Sequence, residues 1–231
     1  MEDLTDNETE ELLRRWWSDN WLWLVGGLVI GLGALAGYQY WQKSKLASAE
    51  RDAASYISVI EALSKDQPDA AAATAKALRD LHATSPYADQ ADLALAASAV
   101  ERHALEDAAK HLKAVADGSR DKQLRQIAKT RLARVLIEEG KYDEALGVLD
   151  VASAGAFGSL YHDIRGDALA GKGDTAAARR EYESALAAAA TQPGIEKAYV
   201  ELKRDALPVS APAAAAPTTT PAVVPATGGA K

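Results

Sequence analysis

The 231-residue chain contains no cysteine, so a disulfide framework and a thiolate metal site are excluded. It also lacks a basic surplus: the formal net charge is −7 and the isoelectric point is near 5.2. A general nucleic-acid binder shows a basic patch or stripe, so that class is set aside. Phenylalanine and methionine occur once each, while alanine is abundant. Such a composition favours closely packed helices over strands, because alanine is the best helix former and lets helices approach. Tryptophan is missing beyond position 41; all five lie at 16, 17, 21, 23 and 41. Charge is missing from Asn20 to Gln42.

These last two gaps coincide. The run "WLWLVGGLVIGLGALAGYQYW" extends from Trp21 to Trp41. At 1.5 Å per residue it spans roughly 30 Å, the thickness of a bilayer's hydrocarbon core. Trp16, Trp17, Trp21 and Trp23 mark one end, and Tyr38, Tyr40 and Trp41 the other. Such rings prefer the headgroup interface, being apolar with a polar handle. A membrane-spanning helix over residues 16–42 is therefore expected, with membrane lipid as a partner. A cleaved signal peptide fits less well. The preceding segment is acidic, the apolar run exceeds a signal's core, and Lys43 and Lys45 precede the Ala47-Ser48-Ala49 triplet. Arg14 and Arg15 on one side against Lys43, Lys45 and Arg51 on the other leave orientation open. Gly27 with Gly31, and Gly33 with Gly37, are spaced so that a second helix can approach.

Apolar residues continue at helical spacing beyond Trp41: Leu46, Ala49, Ala53, Tyr56, Ile57, Ile60 and Leu63. The anchor is expected to run straight into the first helix beyond the membrane. An internal repeat follows. "LARVLIEEGKYDEALGVLDVA" matches "IRGDALAGKGDTAAARREYESAL" at an offset of 33, pairing Ala133 with Gly166, Gly140 with Gly173, and Ala145 with Ala178. The same offset pairs Leu149 with Tyr182 and Ala152 with Ala185. A looser copy, through Ala96, Leu105, Ala108, Leu112 and Val115, precedes them at an offset of 37.

This pattern resembles the tetratricopeptide repeat. Ala133 or Gly166 lets the second helix cross closely, and Gly140 and Gly173 end the first helix in a left-handed turn. Tyr142 fills the turn in one copy, where the other has Thr175, and Ala145, Ala178 and Ala185 sit at helix contacts. Helices are expected near 46–65, 69–83, 86–102, 105–117, 121–139, 142–152, 158–172, 174–189 and 194–206, the last capping the stack. The fold class is thus all-α: one N-terminal transmembrane helix, then a tetratricopeptide-like solenoid over 43–206. The acidic residues 1–15, of which the first dozen read as disordered, and the Pro/Ala/Thr-rich 207–231, which has no charge before Lys231 and reads as an extended, disordered tail, flank these domains.

Catalytic motifs are absent. His82, His103, His111 and His162 lack paired-ligand spacing and read as surface or helix-end residues. "GGLVIGLG" lies inside the apolar run, so it is no phosphate loop, and no G-x-S-x-G elbow occurs. The chain reads as non-enzymatic, with no cofactor, no metal and no small-molecule substrate. A solenoid offers a groove instead, and Arg125, Lys129, Tyr161, Arg165 and Asp89 are its expected lining.

Anchor, emerging helix and three imperfect repeats together resemble the YfgM family of bacterial inner-membrane proteins, ancillary subunits of the Sec translocon. "GLGALAGYQYW", "LARV" at 132–135 and "IRGDALAGKGD" at 164–174 carry the likeness, which covers about residues 8–206. The resemblance implies a cytoplasmic N-terminus and a periplasmic repeat domain. It implies partners too: a SecYEG-type translocon and a membrane-anchored periplasmic chaperone of the peptidyl-prolyl isomerase type. The implied role is passing emerging proteins from channel to chaperone. An alternative is a membrane-tethered regulator that binds a cytoplasmic stress-response partner through its acidic N-terminal tail.

Overall fold

The computed structural model describes residues 6–192 and 194–208, and within these every regular element is a helix. The proline-rich segment expected to be an extended tail lies outside them beyond Pro208. The chain divides into two compact units, one ending at Ala91 and the other starting at Asp92.

The first unit is built on α1 (Asp6–Ser64), a single helix of 59 residues. It starts inside the segment that composition marks as disordered, and it runs unbroken through the apolar stretch, as the lack of any breaker predicts. α2 (Pro68–Leu81) turns back along its distal end, with proline at its first position, where no N–H is needed. Val59 of α1 and Ala71, Ala75 and Leu78 of α2 are buried. The stripe read from sequence is rotated relative to this packing. Leu46, Ile57 and Ile60 are exposed, and the buried line runs through Asp52 and Val59. Alternating Tyr56-Ile57 and Val59-Ile60 pairs offer two adjacent apolar faces, and periodicity alone does not choose between them.

α3 (Pro86–Glu101) carries the boundary between the units. The second unit continues with α4 (Leu105–Gly118), α5 (Lys122–Glu138), α6 (Tyr142–Val148), α7 (Gly158–Lys172), α8 (Thr175–Ala188) and α9 (Lys197–Ala206). Asp121 caps α5 by accepting from the amides of Gln123 and Leu124, and Asp174 caps α8 through that of Ala177. α6 is shorter than its repeat partner and ends at Val148. Asp150 then accepts from the amide of Ala152 and opens two short 3-10 turns, Val151–Ser153 and Gly155–Phe157. Ala152 is therefore exposed in a turn, whereas its expected counterpart Ala185 is fully buried on α8.

One turn recurs. The first helix of each pair ends with a residue at positive φ: Asp66 (54°), His103 (56°), Gly140 (75°) and Gly173 (89°). In each, the next amide reaches back to the carbonyl five residues earlier, as in Lys141 to Leu136 at 2.8 Å and Ala104 to Ala99 at 2.8 Å. This is the Schellman arrangement, which satisfies the last carbonyls of a helix. It extends the repeat to α1 and α2, because Asp66 occupies the place of the glycines.

Candidate interaction groove

The first helices of the second unit, together with α9, shape a face with two cavities. One, of about 390 Å³, has a floor of Ala96, Ala97, Val100, Leu112 and Val135, rimmed by Glu101, Arg131, Arg134 and Glu138. The other, of about 570 Å³, lies among α5, α7 and α9, with Ile137, Leu160, Ile195 and Tyr199 beside Asp163, Asp167, Glu196 and Lys203. Arg134 lines both. The arrangement offers apolar contact area with charges of both signs at its edges.

The charged cluster in the second cavity is tightly knit. Lys203 of α9 pairs with Asp163 at 2.5 Å and with Asp167 at 2.8 Å. The Tyr182 hydroxyl donates to Asp167 at 2.8 Å, and the Lys203 ammonium lies 5.2 Å from the Tyr199 ring centroid. Burial pushes the Asp163 carboxyl above the usual carboxylate range, with Lys203 pulling the other way. Burial and the Asp167 carboxylate push the Tyr182 phenol up.

Neither cavity is lined by Arg125, Lys129, Tyr161 or Arg165. Tyr161 is fully buried and its hydroxyl donates to the Gln126 side chain; burial, then the Asp150 charge, pushes its phenol up to about 12. The Arg165 guanidinium donates to Glu181 at 3.0 Å and to the carbonyls of Leu146 and Leu149, pinning the end of α6. Arg125 donates to the Ser119 carbonyl at 2.6 Å, and Lys129 is half-buried on the same side of α5. At about 100° per residue, Arg125 and Lys129 stand on the opposite side of α5 from Arg131, Arg134 and Glu138. In the first unit, Asp89 is buried and accepts from Arg79 at 3.0 Å. The lining residues missed by sequence reading carry a helical signal of their own, at 131, 134, 135 and 138.

The repeat-signature residues lie where close packing needs them. Ala133, Ala145, Ala178 and Ala185 are fully buried, and Tyr182 is 2% exposed. A Cβ on Gly166 would meet the Tyr182 ring, and one on Gly171 would meet that of Tyr142. His111 and His162 are less peripheral than expected, whereas His82 and His103 stand at helix ends. His111 contacts Asp92 at 2.8 Å and His162 contacts Glu181 at 2.7 Å, each across one helix pair; His82 contacts Asp52 likewise in the first unit. Among the described residues, no three His, Asp or Glu side chains converge as metal ligands do.

The apolar stretch of α1 is uncovered. Trp21, Trp23, Tyr38, Tyr40 and Trp41 are between 47% and 82% exposed, and among the described residues nothing beyond the helix's own neighbouring backbone comes within 4 Å of a Cβ built on Gly27, Gly31, Gly33 or Gly37. It is long and apolar enough to cross a membrane.

A family model described as a tetratricopeptide repeat-like domain matches residues 14–209. Curated relatives match over most of their own length. An ancillary SecYEG translocon subunit of Escherichia coli (strain K12) is 32% identical over 78% of this chain and 87% of the relative. Proteins of the same name from Haemophilus influenzae and Aggregatibacter actinomycetemcomitans are 27% and 30% identical, over 84% and 89% of their lengths. Fold, repeat signature and these likenesses agree, and the chain belongs to the tetratricopeptide repeat-like family of ancillary SecYEG translocon subunits.

Proposed function

We propose that this protein is a non-catalytic, membrane-anchored accessory of a SecYEG-type protein-export channel. α1 crosses the inner membrane once, with its acidic start in the cytoplasm and the repeat units in the periplasm. The face around Arg134 holds segments of emerging proteins, or of the periplasmic chaperone that takes them over, a membrane-anchored peptidyl-prolyl isomerase. The observation that carries this reading is the pairing, in one chain of this family, of an uncovered apolar helix with a groove of mixed charge and apolar floor. Tethering matters physically, because a groove held beside the channel exit meets each emerging segment at high effective concentration.

The test is photocrosslinking in cells from two positions, Gly33 in the anchor and Arg134 in the groove, read by mass spectrometry. Channel subunits are expected from the first, and exported proteins or the chaperone from the second. Recovery of neither would overturn the proposal. A topology reporter fused after Lys231 is expected outside the cytoplasm, and a cytoplasmic reporter would sink the orientation.

A further inference from the structure

In the first unit, a cavity of about 680 Å³ opens between α1 and the turn that joins α2 to α3. Its polar wall is Lys45 and Ser48 from α1, with His82, Thr84 and Ser85 from the turn. Ser85 is 8% exposed, and its hydroxyl meets no partner among the described residues. The next residue, Pro86, opens the 16-residue α3, so the positive end of that helix's dipole lies at the cavity. The Lys45 ammonium stands 3.9 Å over the Trp41 ring, with no carboxylate partner among the described residues. Among the described residues, Asp52 is the one acid of the lining, and it is engaged by His82 Nδ1. Ammonium, hydroxyls and a helix N-terminus around one space are a donor set for a phosphate.

Height along α1 selects the source of that phosphate. Lys45 and Ser48 lie four and seven residues beyond Trp41, about 6 and about 10 Å at 1.5 Å per residue. The headgroup layer outside the hydrocarbon core is about 5–8 Å thick on each side. The exposed side chains of Leu46 (61%) and Leu81 (77%) flank the same level. We propose that this cavity receives the phosphate of an anionic phospholipid from the bilayer that α1 crosses, so that the α2–α3 turn rests on the headgroup layer. The inference depends on the anchoring of α1 put forward above.

The full chain is reconstituted in nanodiscs of phosphatidylcholine with or without phosphatidylglycerol. Because the chain has no cysteine, Ala83→Cys places a single environment-sensitive fluorophore on the turn. Its emission is expected to shift to the blue, and to be quenched by a headgroup-labelled lipid, in the phosphatidylglycerol discs. Native mass spectrometry is expected to find phosphatidylglycerol retained. The combined Lys45→Gln, Ser48→Ala and Thr84→Ala variant should lose at least fivefold of it, with helix content checked by circular dichroism. Equal signals in both lipids would overturn the proposal, even if the triple variant misfolds. Displacement of the lipid by millimolar inorganic phosphate would reassign the cavity to free anions and overturn it too. Carbonate extraction separates the two readings. Release of the protein from membranes removes the anchor and this site together, whereas firm retention without lipid signals removes this site alone.

Discussion

The Tyr182 ring lies so close to Gly166 that a Cβ on the glycine would stand 2.4 Å from Cε1. One repeat earlier the same two positions hold Ala133 and Leu149, and one before that Ala96 and Leu112, all 2% exposed or less. The repeat therefore conserves summed volume across the helix crossing, with a large ring opposite no side chain and a smaller one opposite a methyl. Gly166→Ala is expected to destabilise the second unit by about 1–3 kcal/mol through overpacking. Tyr182→Leu alone should also destabilise, since it leaves space and removes the hydroxyl from Asp167. The double variant restores the Ala133–Leu149 pairing and should be less destabilised than the two singles added. Denaturant unfolding of the four proteins gives the coupling, and simple additivity would refute the volume argument.

His103 holds the left-handed turn that Gly140 and Gly173 hold in the other copies. A residue with a Cβ spends roughly 1 kcal/mol in that conformation, which glycine does not. His103 is exposed, and its φ is 56°. His103→Gly should therefore raise stability by about 0.5–1 kcal/mol, a rise of roughly 2–4 °C in Tm for a unit of this size. The same change at Asp66 should gain less, because aspartate tolerates this region better than most residues. A fall in Tm for His103→Gly would mean that the imidazole makes a stabilising contact that outweighs backbone strain.

Lys203 is the charge that lets Asp163 and Asp167 lie together on α7. Asp163 has a raised pKa in the folded protein, so the native state binds its proton more tightly than the unfolded chain. Its ionisation therefore costs stability as pH rises from the ordinary carboxylate range through the raised value. Lys203→Met removes the compensating cation and pushes the carboxyl higher still. At neutral pH the variant should lose about 3 kcal/mol, the scale of a broken buried pair. The loss should shrink as pH falls and the Asp163 carboxyl takes up its proton. Thermal unfolding at several pH values checks the sign, and a loss that grows toward acid would contradict it.

Much of this was legible in the sequence. Helix limits follow from proline at the starts of α2 and α3, glycine at the ends of α5 and α7, and unbroken apolar spacing along α1. The groove was not legible to the same degree. Arg125, Lys129 and Arg165 are charged and periodic, yet Arg125 and Arg165 spend their donors on backbone carbonyls and a neighbouring carboxylate. An arginine that caps a helix end and one that faces a ligand have the same sequence signature, and only the phase of the helix separates them. The shortening of α6 was hidden for a related reason. Asp150 sits at a helical spacing, but its side chain bonds forward to Ala152 and diverts the backbone into a 3-10 turn.

The groove reading makes its own demand on Ala97 and Arg134, both exposed and both lining the first cavity. Ala97 belongs to an apolar floor, so Ala97→Glu puts a carboxylate where an apolar segment would lie. Affinity for an unfolded, apolar model polypeptide should fall about tenfold, near 1.4 kcal/mol, with the fold intact because the site is exposed. Arg134 acts differently. It stands where the two cavities meet and can steer acidic segments, so Arg134→Glu should slow association and flatten its salt dependence more than it speeds release. Binding kinetics at two salt concentrations separate the effects. If neither substitution changes binding, the face between α3, α5 and α9 is not where the proposed polypeptide partner is held, and the exposed Leu202 of α9, which lines neither cavity, becomes the next position to test.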